Sequence, residues 1–87
     1  MASYKIEWKR SAVKELEKLP RQNISRIVSA VGELSSDPFP RGVRKLTGSE
    51  RTYRIRVGDY RIIYDIFESR LIVEIIRVRH RKDAYGR

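Results

Sequence analysis

Cysteine is absent from this 87-residue sequence, and histidine occurs once, as His80. The chain can therefore form neither a disulfide framework nor a thiolate metal site, and a single histidine cannot build a histidine-rich metal centre. The acidic residues show no clustering at metal-ligand spacing, and no apolar run approaches the roughly 20 residues that span a bilayer. The N-terminus also lacks the apolar stretch of a signal peptide. We expect a cytoplasmic protein that uses no metal and no cofactor.

Acidic residues are scarce relative to basic ones. Eleven Asp and Glu stand against twenty Lys and Arg, which leaves a formal net charge of +9. A polycation of this size favours phosphate-bearing partners or an acidic protein partner. The length and a hydrophobic content of 40% are sufficient for one modest core, so we expect a single domain over residues 1–87.

A β-hairpin is predicted between residues 53 and 64. Apolar and basic residues alternate from Tyr53 to Val57, which is typical of a half-buried strand, and Gly58-Asp59 is a favourable two-residue hairpin turn. A tight turn pairs apolar residues across the hairpin and places them on one face: Val57 with Tyr60, Ile55 with Ile62 and Tyr53 with Tyr64.

The other face of this hairpin carries three arginines. Arg54, Arg56 and Arg61 share it, and the same register places Arg56 directly opposite Arg61. Like charges that face each other across a ladder destabilise a sheet by roughly 0.2–1 kcal/mol, and a fold tolerates this most readily where an anion binds between them. An ordinary solvated face is the alternative interpretation. The clustering across the strands favours an anion site.

The remainder of the chain predicts one strand, two helices and a further strand. Residues 3–9 alternate as a strand does, Ser11 is a plausible N-cap for a first helix, and Pro20 suits the first turn of a second helix. Residues 71–76 are apolar on both faces, as in an inner strand, but the register of the last hairpin is not fixed by the sequence. Two apolar stripes should face the core: Ala12, Val13, Leu16 and Leu19 in the first helix, and Ile24, Ile27, Val28, Val31 and Leu34 in the second.

These elements predict an α+β fold. Its order is strand, helix, helix and three strands, with the helical pair packed on a mostly antiparallel four-stranded sheet. Residues 40–50 should be a basic linker, and they carry no nucleotide-binding glycine motif.

The element order and three segments resemble the RelE/ParE toxin superfamily, over essentially the whole chain. The segments are residues 53–56, residues 58–64 and residues 77–85, and the most specific features are the hairpin and the ending His80-Arg81-(x)3-Tyr85. The resemblance implies a toxin of a type II toxin–antitoxin pair. In the RelE branch it also implies a ribosome-dependent endoribonuclease, which cleaves mRNA in the A site through attack of the ribose 2′-hydroxyl without metal, and so inhibits translation.

The resemblance also implies site residues and partners. The expected catalytic set is Arg54, Arg56, Arg61, Arg81 and Tyr85, with His80 as a second candidate for acid–base chemistry, and Arg41, Arg44, Lys45, Arg79 and Lys82 are expected to bind RNA. The partners are the ribosome, mRNA and a cognate acidic antitoxin, RelB-like or similar. The toxin would contact operator DNA only indirectly, through the antitoxin.

The chain departs from several relatives at the first hairpin strand. Those relatives carry lysines where this chain has Arg54 and Arg56, and an arginine effectively never loses its proton. Both arginines are therefore expected to stabilise charge, which leaves Tyr85 or His80 as the base. Two alternatives stay open: a ParE-like toxin that inhibits DNA gyrase without being an enzyme, and a basic module that only binds nucleic acid.

Overall fold

The computed structural model describes residues 3–82. The elements follow in the order β1 (Lys5–Trp8), α1 (Arg10–Glu17), α2 (Arg21–Glu33), β2 (Arg44–Lys45), β3 (Thr52–Val57), β4 (Tyr60–Phe67) and β5 (Ile72–His80). Within the described residues the strands form one sheet in the order β1-β5-β4-β3-β2, in which β1 runs parallel to β5 and the other neighbours are antiparallel. The predicted α+β class, with helices packed on a mostly antiparallel sheet, is confirmed.

The sheet has five strands rather than the four that were predicted. The additional strand, β2, lies inside the segment that was expected to be a basic linker. It consists of two residues, Arg44 opposite Arg54 and Lys45 opposite Tyr53. So short a strand is formed by pairing with the edge of β3 and leaves no alternating pattern in the sequence.

The predicted start of the first helix was wrong. Lys9, not Ser11, is the N-cap residue of α1, and it makes no side-chain capping hydrogen bond. The N–H of Lys9 donates to the Ile75 carbonyl at 2.9 Å, and the Lys9 carbonyl accepts from Val13 N–H at 3.0 Å. The chain therefore passes from the sheet directly into the helix, before Ser11 is reached. Pro20 is the N-cap of α2 and so precedes its first turn.

The core lies between the two helices and one face of the sheet. From α1 and α2, Ala12, Leu16, Ile27, Val31 and the adjacent Leu34 pack against Ile55, Ile62, Tyr64, Ile66, Val73, Ile75 and Val78. Full burial of an aliphatic side chain contributes about 1.5–3 kcal/mol relative to exposure. Val28, which was predicted to face this core, is 48% exposed. The adjacent Ile27 is fully buried, and a step of one residue turns a helical side chain by about 100°.

Strand β5 is an inner strand of the sheet, as its apolar sequence predicted. It pairs with β1 on one side and β4 on the other, with a register shift opposite Ile63 and Tyr64. The loop before β5 holds Leu71 at a φ of 57°, an uncommon conformation for a residue other than glycine. No glycine marks this turn, so the sequence could not fix the register.

A buried tyrosine holds the loop after α2 against the sheet. The Tyr64 hydroxyl donates a 2.9 Å hydrogen bond to the Pro38 carbonyl, and the residue is fully buried. Burial raises the pKa of this phenol well above its ordinary value, and the negative charge of Asp37 raises it further. Tyr64 is therefore neutral at physiological pH.

No helix within residues 3–82 is long and apolar enough to cross a membrane.

Candidate functional site

The hairpin formed by β3 and β4 has the predicted register. Val57 lies opposite Tyr60, Ile55 opposite Ile62 and Tyr53 opposite Tyr64. Gly58 has a φ of 59°, whereas Asp59 does not have a positive φ, which is the pattern of a type II′ turn. All six paired residues belong to the core or pack against it.

Two pairs of arginines face each other across this part of the sheet. Arg56 lies opposite Arg61, as predicted, and Arg44 of β2 lies opposite Arg54. The second pair was missed because β2 itself was not predicted. Directly opposite residues share a face of the sheet, so this face concentrates positive charge on three adjacent strands.

Four basic side chains line one cavity of about 230 Å³, which we call the arginine cavity. They are Arg56, Arg61, Arg81 and Lys82. Arg61 is only 3% exposed, whereas Arg56 lies at the surface. A buried guanidinium flanked by other cations is suited to an anion that accepts several hydrogen bonds, and guanidinium groups match phosphate oxygens in a bidentate geometry. The volume, several times the roughly 30 Å³ of a water molecule, is sufficient for a phosphate group.

Arg81 reaches the cavity because the main chain anchors it to the hairpin turn. Its N–H donates a 2.7 Å hydrogen bond to the carbonyl of Asp59. The strand that precedes it, β5, pairs with β4 as far as Tyr60 and His80, next to that turn. The end of β5 and the hairpin turn thus bring together cations that are about twenty residues or more apart in the sequence.

Arg79 lies in the same row of the sheet but contacts a carboxylate. It is directly opposite Arg61 on β5. Its Nε atom is 3.3 Å from Glu15 Oε2, an ion pair without the geometry of a hydrogen bond. Arg79 was predicted to bind RNA, and the structure places it beside the arginine cavity with its charge partly offset by Glu15.

His80 belongs to the opposite face of β5. It pairs with Tyr60, and the two rings meet edge to face with centroids 5.3 Å apart. Its Nδ1 accepts a 3.2 Å hydrogen bond from the backbone N–H of Lys82. Because successive side chains alternate across a strand, the imidazole is directed away from the face that carries Arg79 and Arg61.

The other predicted residues are distributed around the cavity. Arg54 lies two residues before Arg56 on the same strand face but does not line the arginine cavity. Arg41 lines a neighbouring groove of about 420 Å³, which shares Arg56 with the arginine cavity, whereas Arg44 and Lys45 are exposed on β2. Tyr85 lies outside the described residues.

Sequence reasoning missed Glu15 and the carbonyl of Asp59. Glu15 lies among the charged residues of the first helix, and its carboxylate contacts Val78 of β5, 63 residues further along the chain. No local pattern marks such a contact. Within residues 3–82, no three His, Cys, Asp or Glu side chains are grouped in a way that could hold a metal ion.

Comparison with known proteins places this geometry in a family. The family model described as "ParE toxin of type II toxin-antitoxin system, parDE" matches residues 6–85. Toxin RelG of Mycobacterium tuberculosis is 36% identical over 88 residues, which cover 97% of this chain and 98% of that protein.

Solved structures that are similar to this chain belong to the same family of toxins. The archaeal RelE–RelB complex from Pyrococcus horikoshii OT3 contains a chain that is similar with a TM-score of 0.82 and 31% identity, over 91% of this chain and 96% of that chain. The toxin–antitoxin complex RelBE2 from Mycobacterium tuberculosis gives a TM-score of 0.80 and 32% identity, over 91% of this chain and 99% of that chain. The chain therefore belongs to the RelE/ParE superfamily, as a RelE-family toxin of a type II toxin–antitoxin system.

Proposed function

We propose that this toxin is a ribosome-dependent endoribonuclease that cleaves mRNA in the ribosomal A site and thereby inhibits translation. The observation that supports this most strongly is the arginine cavity, whose volume of about 230 Å³ is sufficient for a phosphate group and which is lined by Arg56, Arg61, Arg81 and Lys82. Cleavage of RNA requires charge stabilisation where the pentacoordinate phosphorane gains negative charge. Preorganised guanidinium groups provide it.

The proposed reaction is an internal transfer at phosphorus. The 2′-oxygen forms a bond to the adjacent phosphorus as the bond from phosphorus to the 5′-oxygen breaks, which yields a 2′,3′-cyclic phosphate and a 5′-hydroxyl. Arg56 and Arg61 donate hydrogen bonds to the non-bridging oxygens, and Arg81 donates to the leaving 5′-oxygen, which is then protonated from water. Arginine cannot accept the 2′-hydroxyl proton. We assign that role to Tyr85, whose phenol has an ordinary pKa of about 10.

An acidic antitoxin is the proposed partner that silences the enzyme. Two similar structures, the archaeal RelE–RelB complex and RelBE2, are toxin–antitoxin complexes. A net charge of +9 steers an acidic partner toward this chain. The exposed apolar side chains Val28, Phe39 and Leu71 offer apolar contacts for such a partner. We place the pair in the cytoplasm, where the ribosomes are, and assign contact with operator DNA to the antitoxin.

Single-turnover cleavage of mRNA on ribosomes programmed with a defined A-site codon tests the proposal. At saturating toxin, Arg61→Ala and Arg81→Ala should each lower the rate about 10²–10³-fold, the usual effect of losing one preorganised donor, with a smaller effect on ribosome binding. Lys14→Ala and Lys18→Ala are matched controls, because both lysines are exposed on or beside α1. They should cleave at the wild-type rate. Intact mRNA with active wild-type toxin would refute the proposal.

Inhibition of DNA gyrase, the activity expected of a ParE-like toxin, is the second candidate function. It is considered because the matching family model is that of the ParE toxin. An inhibitor that acts by occupying a protein surface has no need of guanidinium groups directed into one cavity, so the site favours the nuclease. Gyrase-dependent DNA breaks in cells whose mRNA remains intact would establish this second function instead.

A further inference from the structure

The carboxylate of Glu15 bridges α1 and the last strand of the sheet. Its Oε1 accepts a 2.8 Å hydrogen bond from the backbone N–H of Val78, and its Oε2 lies 3.3 Å from Nε of Arg79. The Glu15 side chain is 27% exposed and that of Arg79 is 36% exposed. Because both partners are partly shielded from solvent, this ion pair is screened less than one on an open surface.

Glu15 contacts β5 beyond the point at which the neighbouring strand β1 ends. Strand β1 follows β5 only as far as Trp8 opposite Ile75, and the N–H of Lys9 makes the last hydrogen bond to Ile75. Beyond that point β5 continues to His80 with β4 on one side. A buried backbone N–H without an acceptor is costly, and Glu15 supplies the acceptor that β1 does not.

The same carboxylate contacts one member of a row of three arginines that lie opposite one another across the sheet. Two members of this row line the arginine cavity. Arg79 is opposite Arg61 on the adjacent strand, and Arg61 is opposite Arg56. Like charges directly opposite each other across a ladder are destabilising, and Glu15 offsets the charge of Arg79. Arg81 and Lys82, two and three residues beyond Arg79, line the cavity.

We infer that Glu15 is a positioning residue for the arginine cavity: it fixes the end of β5 and the Arg79 side chain, and through them the placement of Arg61 and Arg81. Glu15 does not itself line the cavity. The effect of Glu15 on cleavage rests on the proposed function, whereas its effect on anion binding does not.

Glu15→Gln separates the two contacts. The amide of glutamine keeps an oxygen that accepts from Val78 N–H, but it carries no charge to offset Arg79. Glu17→Gln is the matched control, because Glu17 is exposed at the end of the same helix. Both variants remove one negative charge from α1, so they change the net charge of the protein equally.

Single-turnover cleavage at saturating toxin measures the consequence. Glu15→Gln should lower the rate about 10–100-fold, the scale expected when a reacting group is displaced by about 1 Å, with little change in the half-saturating toxin concentration. Glu17→Gln should cleave as the wild type does. A Glu15→Gln protein that unfolds at a lower temperature yet cleaves at the wild-type rate would show a purely structural role and overturn the inference.

A double-mutant cycle with Arg79→Gln tests the route of the effect. If Glu15 acts through Arg79, the double variant should be no slower than the slower single variant, because the second change removes a contact that is already lost. Independent effects, with rate losses that multiply, would contradict this route and the inference with it.

Binding of inorganic phosphate provides a test that does not depend on cleavage. In the wild type, phosphate should shift the side-chain Nε–H signals of Arg56, Arg61 and Arg81 in nuclear magnetic resonance spectra. In Glu15→Gln the Arg81 signal should shift only at several-fold higher phosphate concentration, and in Glu17→Gln it should follow the wild type. Equal titrations in all three proteins would overturn the role of Glu15. Wild-type toxin that binds phosphate but cleaves no mRNA would overturn the proposed function alone.

Discussion

Arg56 and Arg61 lie directly opposite each other on β3 and β4, and both side chains line the arginine cavity. Arg61 is nearly buried, whereas Arg56 is exposed. Two like charges in this arrangement oppose folding, and the burial of Arg61 adds a desolvation cost. Under the proposed function, a phosphate bound between the two side chains would interact with both and offset these costs. We therefore expect changes at this pair to affect stability and activity in opposite directions.

Arg56→Gln should raise stability and lower activity. Removing one of the facing charges should increase the free energy of unfolding by about 0.2–1 kcal/mol, and the single-turnover cleavage rate at saturating toxin should fall about 10²-fold. Urea denaturation without phosphate and ribosomal cleavage assays measure the two effects. Lys18→Gln, which removes a charge from an exposed residue, should change neither. A variant that is both less stable and fully active would contradict this expectation.

The hairpin could be predicted from the sequence because its determinants are local. Alternation from Tyr53 to Val57 and the turn at Gly58-Asp59 fix both the register and the faces. The hairpin between β4 and β5 lacks such determinants. Its loop uses Leu71 in a left-handed conformation, and the register shifts opposite Ile63 and Tyr64. A shift of one residue moves every side chain to the other face, so the face of each β5 residue could not be predicted.

The candidate site was only partly predictable, because some of its residues are placed by contacts between distant parts of the sequence. The opposition of Arg56 and Arg61 followed from the local hairpin, whereas the expectation that Arg81 acts with them came from the family resemblance alone. In the structure Arg81 is placed by a hydrogen bond from its N–H to the Asp59 carbonyl. Glu15 contacts Val78 across 63 residues, and its place among charged residues on α1 gave no signal of that contact.

Tyr64 should make stability depend on pH in the alkaline range. Its pKa is raised in the folded state by burial, so the unfolded chain loses this phenolic proton first. The unfolded state then binds fewer protons than the folded state, and the free energy of unfolding falls as pH rises. The stabilisation by neutral Tyr64 is complete below the unfolded pKa of about 10 and is lost progressively above it.

Tyr64→Phe isolates this effect. At pH 8 the variant should be less stable by about 1 kcal/mol, because the hydrogen bond to the Pro38 carbonyl is lost. Above pH 10 its stability should fall less steeply than that of the wild type, so that the two curves converge. Urea denaturation at a series of pH values measures both slopes. Parallel curves for the two proteins would show that Tyr64 does not titrate differently in the folded and unfolded states.

The identity of the base is the last prediction, and the position of His80 bears on it. The imidazole packs against Tyr60, and its Nδ1 accepts a hydrogen bond from Lys82 N–H. It also belongs to the opposite face of β5 from Arg79, which lies beside Arg61 in the row of arginines. We therefore expect His80→Gln to reduce stability more than the chemical step.

Tyr85→Phe, in contrast, should lower the single-turnover rate about 10²–10⁴-fold while ribosome binding is retained, because only a hydroxyl is removed. The rate of the wild type should rise with pH up to the pKa of the base, and this rise should disappear in Tyr85→Phe but persist in His80→Gln. Cleavage by Tyr85→Phe within a few-fold of the wild-type rate would exclude Tyr85. The 2′-hydroxyl proton would then have to pass to His80, which requires its ring to turn toward the arginine cavity, or to a group on the ribosome.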